Sequence, residues 1–253
     1  MNIKNCAAVV TGGASGLGEA SARKLAEAGA RVAIFDLNAE RGEMLAKELN
    51  GVFASVNVTD EVSVTQGLDK AAEKHGEARI LINCAGIAIA QKTTGRGVAH
   101  SLTDFERVIN INLIGSFNCI RLVATRMATL DLVNDEERGV IINTASVAAY
   151  DGQIGQAAYS ASKAGIVGMT LPVARDLARD AIRVMTIAPG IFHTPMMATL
   201  SQEVQDSLGA SVPFPSRLGV PAEFAALVQH ICENAYLNAE TIRLDGAIRM
   251  AAK

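Results

Sequence analysis

The sequence predicts an α/β fold: one doubly wound domain, with a seven-stranded parallel sheet and helices on both faces. Three observations carry that reading. Short apolar runs alternate with segments of helical spacing along the whole chain. Those runs are apolar on every residue, as in strands covered on both faces, rather than alternating as in a sheet with one face in water. The composition agrees: 49% hydrophobic, 19% charged and only 4% aromatic residues imply an aliphatic core, and 22 glycines supply turns and close backbone approaches. A chain of 253 residues can bury a core large enough to need no disulfide or metal, so residues 1–253 read as a single domain.

The elements follow in order. Residues 6–11 (CAAVVT) form the first strand, and residues 19–28 a helix that stops at Gly29, a C-cap residue type. Residues 31–36 (RVAIFD) are the second strand, 41–49 a helix and 52–58 the third strand. Residues 61–75 are helical before Gly76, and 80–83 (ILIN) make the fourth strand. Residues 104–127 form a long helix with Thr103 as its N-cap, followed by the fifth strand at 139–144. Residues 158–178 are helical, with a kink expected at Pro172, which removes a backbone donor. The sixth strand, 182–187, is broken by Pro189-Gly190. Pro221 opens a helix at a position proline tolerates, running to about residue 233, and 241–244 (TIRL) is the last strand.

Several function classes are disfavoured. The net charge is −3 with no Lys/Arg tract, so no nucleic-acid footprint is expected. The longest charge cluster, Asp135-Glu136-Glu137-Arg138, reads as a solvated loop. No apolar run reaches the ~20 residues that span a bilayer, and the opening stretch has no signal-peptide pattern, so no membrane partner is expected. Cys6, Cys84, Cys119 and Cys232 show neither CxxC nor metal-ligand spacing. They read as reduced thiols in a cytoplasmic protein without a metal.

Two constellations carry chemistry. The turn Thr11-Gly12-Gly13-Ala14-Ser15-Gly16-Leu17-Gly18 joins the first strand to the first helix. Glycines there let backbone approach a pyrophosphate, and the helix start offers unpaired N–H donors, as in a Rossmann-type dinucleotide site. Asp36 ends the second strand, 18 residues after Gly18. A carboxylate there can accept both ribose hydroxyls of an adenosine and repels a 2′-phosphate, so NAD is expected over NADP. The second constellation is Tyr159-Ser160-Ala161-Ser162-Lys163. Residues four apart share one helix face, so an ammonium at 163 lies beside a phenol at 159 and should favour the phenolate, making Tyr159 a usable acid/base. Ser146 lies just beyond the fifth strand, where it can bond a substrate oxygen, and Asn112 could hold a water that relays a proton. Each residue also has a structural reading: Tyr159 as a packing residue, Ser146 as a helix cap, Asn112 as a buried amide.

With these residues the sequence resembles the short-chain dehydrogenase/reductase family. The motifs are TGGASGLG, Asp36, Asn83-Cys84-Ala85-Gly86, Asn112, Ser146, YSASK and Pro189-Gly190, and the resemblance spans essentially the whole chain. It implies hydride transfer between a nicotinamide and a carbinol or carbonyl carbon, with Tyr159 as general acid/base and Ser146 polarising the substrate oxygen. Lys163 also bonds the nicotinamide ribose, and Asn112 completes the proton relay. The cofactor residues it implies are Gly12, Ser15, Gly16, Leu17, Gly18, Asp36, Asn57, Val58, Cys84, Ala85, Gly86, Tyr159, Lys163, Pro189, Phe192 and Thr194. Asn57 departs from the family's usual Asp near the adenine, though its amide oxygen can still accept a hydrogen bond.

The stretches NCAGIAIAQKT, HSLTDFERVININ and IRLDGAIRM are similar to the branch of that family acting on 3-hydroxyacyl-CoA thioesters. This implies an NAD-dependent 3-hydroxyacyl-CoA dehydrogenase and a homotetramer. A steroid or secondary-alcohol dehydrogenase, a 3-oxoacyl-carrier-protein reductase and a non-catalytic scaffold are the alternatives. The substrate is expected between two loops, residues 91–101 and 191–219, the latter carrying Met196, Met197 and Pro213-Phe214-Pro215. Lys92 and Arg96 could meet CoA phosphates or be merely solvated. Small residues at 161, 165 and 168 permit close packing against the sheet or a second subunit.

Overall fold

The apolar runs become the strands of one sheet because their backbone groups can pair only with one another once buried. The computed structural model describes residues 1–133, 136–195, 197 and 201–252. In chain order the strands are β1 (Ala7–Thr11), β2 (Arg31–Asp36), β3 (Val52–Ser55), β4 (Ile80–Asn83), the two-residue β5 (Thr94–Gly95) and β6 (Val98–Ala99), β7 (Gly139–Thr144), β8 (Ile182–Pro189) and β9 (Thr241–Leu244). Seven of them form the sheet β3-β2-β1-β4-β7-β8-β9, and every pairing in it is parallel. Strands β5 and β6 make a separate antiparallel hairpin.

The helices are α1 (Gly16–Glu27), α2 (Ala39–Glu48), α3 (Glu61–His75), α4 (Leu102–Ile109), α5 (Gly115–Met127), α6 (Ala157–Asp176), α7 (Gln202–Ala210) and α8 (Pro221–Glu233). They cover both faces. Val10, Ile34, Ile82, Ile142 and Ile187 pack with Leu25 of α1 and with Phe224, Val228 and Ile231 of α8. Their neighbours Val9, Phe35, Leu81, Ile141 and Val184 point the other way, onto Leu68 of α3, Ile120 and Val123 of α5 and Val173 of α6. The period of two within these largely apolar strands is therefore a division of one run between two cores.

On the α5/α6 face the C-terminal ends of the central strands turn polar. Thr11, Asn83, Asn143 and Thr186 stand in one register row across β1, β4, β7 and β8. Asn83 Nδ2 donates to Asn143 Oδ1 at 2.9 Å, and the hydroxyls of Thr170 and Thr186 are 2.6 Å apart. The chain leaves β1 toward β2 on one side and returns to β4 on the other, so this edge has a switch point between β1 and β4, the place where such sheets bind ligands.

The structure departs from the sequence expectations at several boundaries. Strand β3 stops at Ser55; Val56 and Val58 are buried, but in the turn that packs onto α3 and α5. Helix α1 begins at Gly16, three residues earlier than expected, and Gly29 follows the cap Ala28 with φ +88°. Ser101, not Thr103, caps the long helix, its hydroxyl accepting from Asp104 N at 3.2 Å. That helix is α-helical only at its ends, with a π-helical stretch at Asn110–Ile114 between α4 and α5. The continuous span Leu102–Met127 is long and apolar enough to cross a membrane, yet half of its apolar window is buried in this fold. Helix α6 spans Ala157–Asp176 with Pro172 inside it, ending two residues before the expected 178.

The charge cluster is not simply solvated. Asp135 lies outside the described residues, but Glu137 is buried. Its two carboxylate oxygens pair with the Met1 ammonium and with Arg183 Nε, each at 2.7 Å. Arg183 donates further to the carbonyls of Ile231, Cys232 and Leu237. These hydrogen bonds supply the partners that a buried ion pair requires.

Candidate active site

The glycine-rich turn is forced into its shape by what it touches. Gly12 has φ +61°, and a Cβ there would sit 2.7 Å from Ala85 N at the end of β4. A Cβ on Gly18 would collide with the carbonyl of Gly12. Ser15 caps α1 in an extended conformation with no side-chain cap bond, which leaves the first-turn amides for a ligand. The start of the 191–219 segment lies over this turn: a Cβ on Gly16 would meet Pro195 and Thr194 at 3.3 and 3.7 Å.

Asp36 does two things. Its Oδ2 accepts from Ala14 N at 3.0 Å and its Oδ1 from Asn38 N at 2.9 Å. The carboxylate thus fastens the glycine turn to the end of β2, while the lone pairs that remain can accept ribose hydroxyls. Leu37 beside it is largely exposed. Asn57 differs from the expectation. Its Oδ1 already accepts from the backbone and hydroxyl of Thr59, at 3.1 and 2.9 Å, so its free group is the Nδ2 donor rather than an acceptor. Val58 is buried, and its carbonyl accepts from Asn118 Nδ2 at 2.9 Å.

Thr11 Oγ1 accepts from Cys84 N and Ala85 N, both at 3.2 Å, and so hangs the Cys84-Ala85-Gly86 segment on β1. The Cys84 thiol lies 3.3 Å from the Thr144 hydroxyl, and burial pushes its pKa up to about 11. A Cβ on Gly86 would stand 3.2 Å from Asn112 Oδ1 and 3.7 Å from Lys163 Nζ. The glycine is what lets these two groups approach.

Asn112 sits in the middle of the π-helical stretch and is 1% exposed. Its Oδ1 accepts from Ile87 N at 2.8 Å, while Nδ2 donates to Ile87 O at 2.9 Å and to Ser162 Oγ at 3.1 Å. Both amide hydrogens are therefore committed. The side chain clamps the segment after β4 to α6, the bonding of a buried amide; its expected part in a proton relay is a separate matter.

Tyr159 and Lys163 stand one turn apart at the start of α6, with Lys163 Nζ 5.7 Å from the phenol ring centroid. Lys163 is 6% exposed and donates to Thr144 O at 2.7 Å. Desolvation pulls its pKa down to about 8. Desolvation likewise raises the Tyr159 pKa, and a hydrogen bond with Ser146 pulls it partly back. Burial thus works against the phenolate that the lysine was expected to favour. Ser146 is buried and caps a 3-10 turn, Val147–Ala149, its Oγ accepting from Ala148 N at 3.1 Å. It caps that turn and also lies within hydrogen-bond reach of Tyr159.

Phe192 is turned away from this cleft. Its ring packs edge-on against Phe224 and under Gly219, leaving its backbone for any contact with a ligand. Pro189 ends β8 at the same sheet edge. The rim has two parts. Gln91 N donates to Gly155 O at 2.9 Å, which sets the 91–101 loop beside the segment leading to Tyr159. Lys92 and Arg96 stand exposed around the β5–β6 hairpin. In the 191–219 segment, Ile191, Val212 and Leu218 form a small apolar cluster with Met197 and Leu208 of α7; Met196 lies outside the described residues. The residues the sequence did not single out are Thr144, Ile87 and Ser162. Each acts through a backbone carbonyl, a backbone amide or a generic hydroxyl, which no motif marks.

The cleft combines glycines at 12, 13, 16 and 18, a helix start with no side-chain cap at Ser15, and the Asp36 carboxylate at the end of β2. Known proteins bear on the same point. Residues 6–205 match the family model described as short chain dehydrogenase. The chain is 56% identical to 3-hydroxyacyl-CoA dehydrogenase type-2 of Drosophila melanogaster, over 98% of this chain and 99% of that protein. It is 57% identical to the protein of the same name from Bos taurus, over 98% and 97%. A crystal structure of 3-hydroxyacyl-CoA dehydrogenase type-2 from Mycobacterium avium superposes with a TM-score of 0.95 at 43% identity, covering 98% of each chain.

Proposed function

We propose that this chain, which belongs to the short-chain dehydrogenase family, interconverts (S)-3-hydroxyacyl-CoA and 3-oxoacyl-CoA thioesters with NAD as its cofactor. The observation that carries the chemistry is one cluster: Ser146, Tyr159 and Lys163 at the sheet edge next to the glycine turn, with Asn112 behind them. Full-length identity above one half to dehydrogenases of that substrate class supports the thioester. Asp36 supports NAD, because a 2′-phosphate would be placed against a carboxylate.

A bound nicotinamide supplies or accepts the hydride. Tyr159 gives its phenolic proton to the C3 oxygen in reduction and takes it back in oxidation. Ser146 holds that oxygen through its hydroxyl and steadies the phenol oxygen. The Lys163 ammonium, anchored on Thr144 O, offsets the negative charge left on Tyr159 and can also reach a ribose hydroxyl. Asn112 keeps the Ile87 backbone in place, on the segment after β4 that would line a nicotinamide site. The 91–101 and 191–219 segments form the walls for the acyl-CoA.

The same reading includes a homotetramer. Helices α5 and α6 expose Phe117 and Leu171, and Gly168 opens on free space, which suits close packing by a second copy.

The test is reduction of acetoacetyl-CoA with NADH, followed by NADH absorbance. Turnover is expected in the native chain and not in Tyr159→Phe, which should still bind NADH. No turnover by the native chain, or an active Tyr159→Phe, would overturn the reading. A panel of hydroxysteroids and simple secondary alcohols separates the thioester from the alternative substrates.

A further inference from the structure

We propose that Arg243 is a positioning residue for this reaction, binding the loop that leads to Tyr159 and the segment that seats the substrate wall into one unit. The proposal rests on the dehydrogenase reading above. Arg243 lies on β9, the edge strand, opposite Ala188 of β8. Its guanidinium gathers three acceptors from two parts of the chain. Nη2 donates to Asp151 Oδ2 at 2.6 Å and to Ile248 O at 3.0 Å, and Nε donates to Asp245 Oδ2 at 2.7 Å. The group also stacks 5.2 Å from the Tyr150 ring centroid. Asp245 takes a further contact from Arg249 Nη1 at 3.2 Å. A planar fork with donors on several edges can serve such a set; a lysine ammonium cannot reproduce it.

Each partner belongs to a wall of the cleft. Asp151 and Tyr150 stand between Ser146 and Tyr159. Further along that loop, Ile154 N donates to Ala252 O and Gln153 Nε2 to Ala251 O, both at 3.0 Å, so the loop lies along the residues after β9. Those residues in turn support the 191–219 segment. Ile248 is buried against Ile191, Val212 and Leu218, with Met250 beside them. Phe214 N donates to Gly246 O at 3.2 Å, and Gly190 packs directly on Asp245. One side chain thus stands where the catalytic loop, the last strand and the base of the substrate wall meet. None of its contacts involves the glycine turn or Asp36.

The experiment compares Arg243→Gln and Arg243→Lys with the native chain in two ways. Steady-state kinetics with acetoacetyl-CoA should show KM raised about tenfold in Arg243→Gln and kcat changed far less, because loosened walls tax substrate binding. The NADH dissociation constant should stay within about threefold, since the cofactor residues are not held by this cluster. Arg243→Lys should recover less than half of the KM effect. Hydrogen exchange, which needs no substrate, should show faster exchange in residues 150–156 and 205–219 together, with the central strands unchanged. If Arg243→Gln does not fold, Asp151→Asn serves instead, with the same paired exchange change. Faster exchange confined to residues 245–252, or equal losses in KM, kcat and NADH affinity, would overturn the proposal. If the native chain ignores acetoacetyl-CoA, that counts against the substrate reading, and the exchange experiment still decides the coupling.

Discussion

Replacing Lys163 by Met should make the cofactor-free protein more stable while ending its turnover. The lysine is 6% exposed, and desolvation brings its pKa from 10.5 to about 8. At about 1.4 kcal/mol per tenfold change in proton affinity, holding the charged form in the fold costs about 3 kcal/mol at neutral pH. The bond from Nζ to Thr144 O offsets part of this, and its loss leaves a carbonyl unpaired, a penalty of about 1 kcal/mol. The expected net gain for Lys163→Met at pH 7 is therefore about 2 kcal/mol. The pH dependence is the sharper signature. Between about 8 and 10.5 the unfolded lysine still carries its proton and the folded one has released it, so the penalty in the native chain is relieved as pH rises. The advantage of the Met variant should shrink over that window and vanish above it. Titration of Cys6, Cys119 and Cys232 occurs in both proteins and cancels in the difference; Cys84, which the Lys163 charge pulls down, adds a smaller part at the top of the range. Urea unfolding from about pH 7 to about pH 10, without cofactor, measures it. A Met variant less stable than the native chain at pH 7, or a difference constant with pH, would refute the reasoning.

Other outcomes follow from the same contacts. Gly18→Ala should leave little folded protein or abolish NADH binding, because the new Cβ meets the Gly12 carbonyl; a variant with normal NADH affinity would contradict the close approach. Asp36→Ala should raise the NADPH-to-NADH ratio of kcat/KM about tenfold while lowering the NADH value, and an unchanged ratio would remove Asp36 as the selector. Glu137→Gln leaves Arg183 and the Met1 ammonium buried without their anion, a loss of about 3–5 kcal/mol by denaturant titration; a loss under about 1 kcal/mol would mean the network is replaceable.

The strands and their parallel order were legible because a sheet buried on both faces needs uninterrupted apolar runs, and little else in a sequence looks like ILIN or GVIINT. Their ends were less so. Val56 and Val58 continue the apolar run past β3, yet they are buried in a turn, and hydrophobicity alone does not separate the two. Ser101 and Thr103 are both competent caps two residues apart, and only the backbone decides between them. The π-helical stretch around Asn112 leaves no periodic trace over five residues. The Tyr159–Lys163 pair was readable from spacing, but its electrostatics were not. Burial, which depends on everything packed around the pair, raises the phenol's pKa, and the contact that pulls it partly back comes from Ser146. Glu137 and Arg183 lie 46 residues apart in the chain, so a buried pair looked like part of a solvated cluster.

Asp36 has a consequence for how this enzyme can change. The carboxylate proposed to discriminate between cofactors is also the clasp that closes the glycine turn through Ala14 N and Asn38 N. Mutational drift at this position cannot relax one role and spare the other. A lineage moving toward a phosphorylated cofactor would first need a substitute fastening for the turn, an acceptor from another residue able to reach Ala14 N and Asn38 N. On the proposed reading, the architecture of the loop entrenches the cofactor preference, and laboratory selection for a switch should recover paired substitutions more often than single ones.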